Sequence, residues 1–242
     1  MKFENSLSFA QGLDNSDSLK AFRSEFFIPT HHGKSALYFT GNSLGLQPKS
    51  AEDAIKTELE DWRNLGVEGH FHGKNPWFHY HKFLTDNAAK IVGAKPIEVV
   101  VMNQLTSNLH FLFVSFYRPT KEKYKIIMEA GAFPSDMYLV ESQVKFHGFN
   151  PNDAIIEVQP RAGEHYLRHE DIIKTIEDNK ASVALVFFSG VQYYTGQAFN
   201  IEAITAKAHA VGAVAGFDLA HAAGNIELKL HDWDVDFAAW CG

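Results

Sequence analysis

An aspartate and a histidine three residues apart, Asp218 and His221 in FDLAHAAGN (217–225), follow a short apolar run. A carboxylate that closes such a run is costly to desolvate, so Asp218 calls for a cationic partner. A structural hydrogen bond or a helix N-cap would also satisfy it. A metal would take Asp218 and His221 as ligands and draw further nitrogens from His70 and His72 or from His79 and His81. Residues two apart do not share a helix face, so His79 and His81 cannot both reach one ion from a helix. With 13 histidines in the chain such clusters also arise easily, and no metal site is assigned. A third chemistry uses more of the chain. A cofactor with a pyridine nitrogen needs a carboxylate to keep that nitrogen protonated, an aromatic face for its ring and a helix N-terminus for its phosphate. Asp218, Phe133 and Thr106 are residues of those types. Taken alone, Thr106 reads more readily as a helix cap, and neither a G-x-x-x-x-G-K-S/T nor a G-x-G-x-x-G loop is present.

Such residues must be brought together by strands and helices. The first ~45 residues read as an irregular arm, with turn signals at His32-Gly33 and Gly41-Asn42. From Pro48 a helix is predicted, with Ala51, Ala54, Ile55, Leu59, Trp62 and Leu65 on one face and Gly66 as its stop. Pro76 opens a second, running to Gly93. Apolar runs then alternate with helical patterns: strands at 97–102, 124–129, 154–159, 183–188, 213–218 and 236–240, with helices from about 106, 134, 168 and 201 between them. Short apolar runs without strict alternation suit strands buried on both faces, and their alternation with helices predicts an α/β domain with a mainly parallel sheet covered by helices. Ligands bind such sheets at the carboxyl ends of the strands. Residues 103–106, 131–136, Ser189-Gly190 and Asp218 with His221 converge there.

The 242 residues suffice for one large domain with an arm. Hydrophobic content of 45% and charged content of 21% are ordinary for a soluble enzyme. The net charge of −7, without a Lys/Arg cluster, argues against a nucleic-acid surface. No apolar run approaches the ~20 residues of a membrane helix, and the first residues lack the apolar core of a secretory signal. A single cysteine, Cys241, fits a reducing compartment. The expected location is the cytoplasm.

Several longer stretches closely resemble the kynureninase family of fold-type I pyridoxal-phosphate enzymes. They are GVQYYTGQAFNIEAI (190–204), GFDLAHAAGNIELKLHDWDVDFAAWC (216–241), FPSD (133–136) and GNSLGLQP (41–48). The resemblance, from about residue 38 onward, implies an aspartate-aminotransferase-like large domain, a homodimer, bound pyridoxal 5′-phosphate, and hydrolysis of L-kynurenine or 3-hydroxykynurenine. It makes Asp218 the partner of the pyridine nitrogen, His221 its neighbour against the ring, and Phe133 the stacking aromatic. It puts Leu105 and Thr106 at the phosphate, and Pro134, Ser135, Asp136 and Ser189 elsewhere in the cofactor pocket. Ser43 and His70 match positions that approach the substrate, whereas His72, His79 and His81 do not. The expected organisation is an arm over 1–47 and a cofactor-binding domain over 48–242. The lysine that holds the cofactor and a smaller C-terminal domain are expected beyond Gly242, so that the 242 residues alone would be inert, and Lys229 is no substitute. A cysteine desulfurase or selenocysteine lyase would share Asp218, His221 and the phosphate helix; a non-catalytic fragment is the remaining alternative.

Overall fold

The computed structural model describes residues 2–241. They form two compact units that divide after Tyr80. In the N-terminal unit, helix α1 (Leu7–Ser16) begins at Ser6, whose hydroxyl accepts the Phe9 N–H at 3.2 Å. Strands β1 (Thr30–His31) and β2 (Lys34–Ser35) pair antiparallel. The expected irregular arm thus contains a helix and a small hairpin. Helix α2 (Ala51–Leu65) ends at Gly66 as its pattern requires, and α3 (Gly69–His72) follows a turn of 3-10 helix. Glu58 of α2 accepts hydrogen bonds from Asn75 Nδ2 and Trp77 Nε1, each at 2.8 Å.

Helix α4 (Tyr80–Val92) belongs to the second unit from His81 onward. There follow α5 (Leu105–Phe116), β3 (Lys125–Glu129), α6 (Pro134–Phe146), α7 (Pro151–Ala154), β4 (Ile155–Val158) and α8 (His169–Asp178). The chain then forms β5 (Val183–Ser189), α9 (Ile201–Ala210), β6 (Val214–Asp218) and β7 (Phe237–Ala239). The five strands β3 to β7 make one sheet in the order β4-β3-β5-β6-β7, with every neighbouring pair parallel. Successive side chains on a strand face opposite ways, and two cores result. Ile127, Val186, Phe188 and Phe217 pack on one face with α4, α8 and α9; Ile126, Met128, Leu185 and Phe187 pack on the other with α5 and α6. This is the helix-covered parallel sheet expected.

The chain moves outward from β3 to β4 and then returns past β3 to β5. The order therefore reverses between β3 and β5, and the loops leaving their carboxyl ends run to opposite faces. A crevice opens at such a switch point.

One predicted strand does not form. Residues 97–102 are a turn of 3-10 helix, Pro96–Glu98, followed by extended chain outside the sheet. Pro96 lacks an N–H to donate and fixes the start of that turn, while Glu98 Oε2 accepts the Lys95 N–H at 2.8 Å. Ile97 is 92% exposed, so the apolar character of this run does not buy strand pairing.

Candidate active site

The carboxyl ends of β3, β5 and β6 each finish on a polar residue: Glu129, Ser189 and Asp218. Ser189 and Asp218 are direct Cα partners across β5 and β6, and the Gly190 N–H donates to the Asp218 carbonyl at 2.7 Å. Gly190 is required there. A Cβ at this position would stand 2.6 Å from Ala222 Cβ and 2.7 Å from Leu219 Cδ2, so only glycine lets the turn after β6 close over the end of β5.

Asp218 is 5% exposed, and its Oδ1 accepts the Ala220 N–H at 2.7 Å. Asp136, 3% exposed in the first turn of α6, hydrogen-bonds to Asp218 side chain to side chain. Glu129, 2% exposed, accepts the Ser189 N–H at 3.2 and 3.1 Å and the Ser189 hydroxyl at 2.5 Å. Three carboxyl groups thus share one buried pocket. Among the described residues, no lysine or arginine forms an ion pair with any of them.

Their protonation follows from that isolation. Burial disfavours the charged form of each, and neighbouring negative charges add to the effect. Burial, with the Asp218 and Glu129 charges beside it, pushes the Asp136 carboxyl up to about 9. Asp218 is raised by burial, against which the Ala220 N–H, the hydrogen bond from Asp136 and the nearby His221 imidazole all favour its ionised form. Glu129 is likewise raised by burial, opposed by its bonds from Ser189. At neutral pH Asp136 is the protonated member of its pair and donates to Asp218.

The walls come from the adjoining loops. Phe133 is the residue that precedes α6, with Pro134 at the first helical position, and its ring remains 46% exposed. Tyr193 meets it edge-on, with ring centroids 5.2 Å apart. Gln192 ties the two loops together: its Nε2 donates to the Gly131 carbonyl at 2.9 Å, and its Oε1 accepts the N–H groups of Tyr194 and Thr195 at 2.7 and 2.8 Å. The Ser135 hydroxyl lies 3.5 Å from Asp136 Oδ1.

Leu105 and Thr106 occupy the first turn of α5, which packs against α6 and β7. Gln104, not Thr106, holds the N-cap position, and its side chain makes no cap bond. Thr106 is therefore no cap, and the first N–H groups of α5 carry no side-chain acceptor from that residue.

The structure brings together Asp136, Ser189 and Asp218, with Phe133, Pro134 and Ser135 at the start of the same helix and His221 in the turn after Asp218. Ser43 and His70 belong to the N-terminal unit. The Ser43 N–H donates to the Thr40 carbonyl at 2.9 Å. His70 is exposed, its Nδ1–H donates to the Val67 carbonyl at 2.9 Å, and its ring meets Trp77 edge-on at 5.2 Å. The bond at Nδ1 leaves Nε2 as an acceptor. Glu129 and Gln192 escaped the sequence reading. Glu129 carried a visible signal, a charge closing the apolar run KIIME, which is the same signal that singled out Asp218. A cavity of about 380 Å³ beside β7, lined by Glu98, His231, Asp236 and Trp240 among others, contains none of these groups. Among the described residues no set of three or more His, Cys, Asp or Glu could hold a metal ion, and no helix is long and apolar enough to cross a membrane.

The family described as aminotransferase class-V matches residues 37–242. The kynureninase of Flavobacterium psychrophilum is 59% identical over 241 residues, which are 100% of this chain and 57% of that protein. The kynureninase of Myxococcus xanthus is 58% identical over 99% of this chain and 56% of its own length. That of Nematostella vectensis is 52% identical over 98% and 53%. The chain spans about half the length of these curated relatives. Among solved structures, the apo cysteine desulfurase of Thermococcus onnurineus superposes with a TM-score of 0.66 at 20% identity, covering 99% of this chain and 54% of that one. A C-DES variant with glycine covalently linked to its PLP cofactor superposes with a TM-score of 0.65 at 16% identity, covering 84% and 51%. These two likenesses show the fold.

Proposed function

The chain belongs to the aminotransferase class-V family, and from that premise we propose that it serves the pyridoxal-5′-phosphate-dependent hydrolysis of L-kynurenine, or 3-hydroxykynurenine, to anthranilate, or 3-hydroxyanthranilate, and L-alanine. The observation that carries the reading is the buried carboxylate cluster around Asp218, which has no Lys or Arg partner among the described residues. A protonated ring nitrogen is the cation that such a pocket lacks, and the residues present fit the cofactor on that ground. The 47–59% identity to kynureninases, over nearly the whole of this chain, supports the choice of reaction. The cysteine desulfurase alternative rests on a structural likeness at 20% identity.

When bound, pyridoxal 5′-phosphate supplies an electron sink for the carbanion left at the substrate α-carbon. The chain's own residues make that sink effective. Asp218 holds a proton at the ring nitrogen through a charge-assisted bond, roughly twice as strong as a neutral one. The Ala220 N–H fixes the orientation of its carboxylate, and Asp136, by donating to Asp218, keeps the pair at a single negative charge. Phe133 offers its exposed face to the ring, braced by Tyr193 and by the Gln192 bridge. Leu105 and Thr106 present the first N–H groups of α5 to the phosphate, where the positive end of the helix dipole adds attraction. Pro134 and Ser135 begin the helix that carries Asp136, Ser189 is held at the end of β5 by Glu129, and His221 flanks the ring. Ser43 and His70 are the residues assigned to the substrate. The low local dielectric strengthens the polar contacts of the buried Asp136 and Asp218.

The same reading makes 1–47 an arm, 48–242 the cofactor-binding domain, and the enzyme a cytoplasmic homodimer with small-molecule rather than nucleic-acid or membrane partners.

The test is Asp218→Asn in the full-length protein, followed by anthranilate fluorescence and by equilibrium binding of pyridoxal 5′-phosphate. Loss of a positioned charge partner in a closed site costs ~2–5 kcal/mol. Turnover should therefore fall by at least about thirtyfold, with weaker cofactor retention. Wild-type turnover in this variant rejects the reading.

A further inference from the structure

We propose that Glu129 is a positioning residue for Asp218, acting through Ser189 and through its own charge. The inference rests on the reading of Asp218 as partner of the cofactor's ring nitrogen.

The geometry begins with unequal strand lengths. β3 ends at Glu129, and the next residue, Ala130, donates its N–H to Val158 on the β4 side. β5 continues to Ser189. The Ser189 N–H thus emerges at the switch point, where β3 offers no further carbonyl. The Glu129 carboxylate takes the place of that carbonyl, and its second task is to accept the Ser189 hydroxyl. Ser189 in turn is the Cα partner of Asp218. The Glu129 side chain therefore fixes the strand end against which Asp218 is registered.

A neutral amide could cap one N–H at far smaller desolvation cost. Here a carboxylate, 2% exposed, is used beside two others. The groups facing it are Asp218 from β6, Asp136 from α6 and the Ser189 hydroxyl from β5, with His221 beyond Asp218. Cys241, after β7, also lies within reach of the Asp218 charge. No other charged group acts on Glu129 among the described residues. Removing its charge therefore alters the field at Asp218 directly, in a pocket with little screening.

The experiment compares Glu129→Gln, Ser189→Ala and Asp218→Asn in the full-length holoenzyme. Three quantities are read: the melting temperature of the apoprotein, the dissociation constant of pyridoxal 5′-phosphate, and the pH midpoint of the bound cofactor's visible band. Glutamine keeps an acceptor oxygen for Ser189, so Glu129→Gln should melt within a few degrees of wild type. Its cofactor dissociation constant should nevertheless rise about tenfold, and its band midpoint should fall by about half a pH unit or more, because a nearby negative charge that favours the protonated form is gone. Ser189→Ala should also displace the midpoint, since it frees one Glu129 oxygen. A Glu129→Gln protein with both cofactor quantities unchanged shows a strand cap only and overturns the proposal. Should that variant not fold, an unchanged midpoint in Ser189→Ala overturns it instead. Asp218→Asn separates the two readings. If it leaves the cofactor unaffected, the assignment of Asp218 has failed; if it alone affects the cofactor, only the role of Glu129 has.

Discussion

Asp218, Asp136 and Glu129 keep their carboxyl groups out of water in a pocket where any one unpaired charge would be destabilising. That arrangement persists in a fold only where the surroundings impose it, and such places concentrate at sites of chemistry. Asp218 was legible from its position at the end of an apolar run, Phe133 as an aromatic in the loop after a predicted strand, and Asp136 through that loop and the family resemblance of FPSD (133–136). Glu129 stood in an equivalent position but read as the end of a strand, because one sequence does not reveal which strand ends are neighbours. The histidines offer a residue-scale test of the substrate side. His70 has a fixed tautomer and an available Nε2, whereas His79 meets Phe78 edge-on, with ring centroids 4.8 Å apart. His70→Ala in the full-length enzyme should lower kcat/KM for kynurenine roughly a hundredfold, the scale of a lost proton-handling or orienting group, while the cofactor's visible band persists. His79→Ala should alter the melting temperature alone. Equal kinetic losses in the two variants would place the wrong histidine at the substrate.

At the scale of elements, the strand-and-helix rhythm was readable because each buried strand is a short, dense apolar run. The failure at 97–102 is instructive. Ile-Glu-Val-Val-Val-Met has the composition of a strand, yet Pro96 and the Glu98–Lys95 bond bend its start into a turn of 3-10 helix, and no strand pairs with the residues that follow among those described. Composition reports compatibility with a strand but not the turn that precedes it. The register of β6 and β7 depends on a residue whose role composition also hides. A Cβ on Gly216 would lie 2.1 Å from Phe237 Cζ, and Phe237 is wedged between Phe113, Phe116 and Phe187. Gly216→Ala must push β7 away from β6, and overpacking of this kind costs ~1–3 kcal/mol. A drop of roughly 2–12 °C in melting temperature is expected by thermal denaturation. A melting temperature within one degree of wild type would mean that β7 yields without cost.

For the molecule as a whole, the acidic cluster imposes a pH dependence. The Asp136 carboxyl is raised from 3.8 to about 9 in the folded state. The native protein therefore holds a proton that the unfolded chain gives up near pH 4. The stabilisation from this group is complete below pH 4 and is lost as pH rises through about 9. Melting curves of the apoprotein between pH 5 and 9.5 should accordingly show a falling melting temperature. Asp136→Asn, which cannot ionise, should show a flatter profile. Parallel profiles for the two proteins would show that Asp136 is not the proton's holder.

The bond between Glu129 and Ser189 joins residues 60 positions apart, and that between Gln192 and Gly131 joins residues 61 apart. Loops of that length must close before either contact forms, and non-local pairing of this kind slows folding. The pocket is complete only once β3 and β5 have paired, since its contacts bridge the same separation as theirs. A cofactor that recognises only the finished pocket cannot guide the search that builds it. It acts as a latch, lengthening the lifetime of the folded state while leaving the rate of its formation unchanged.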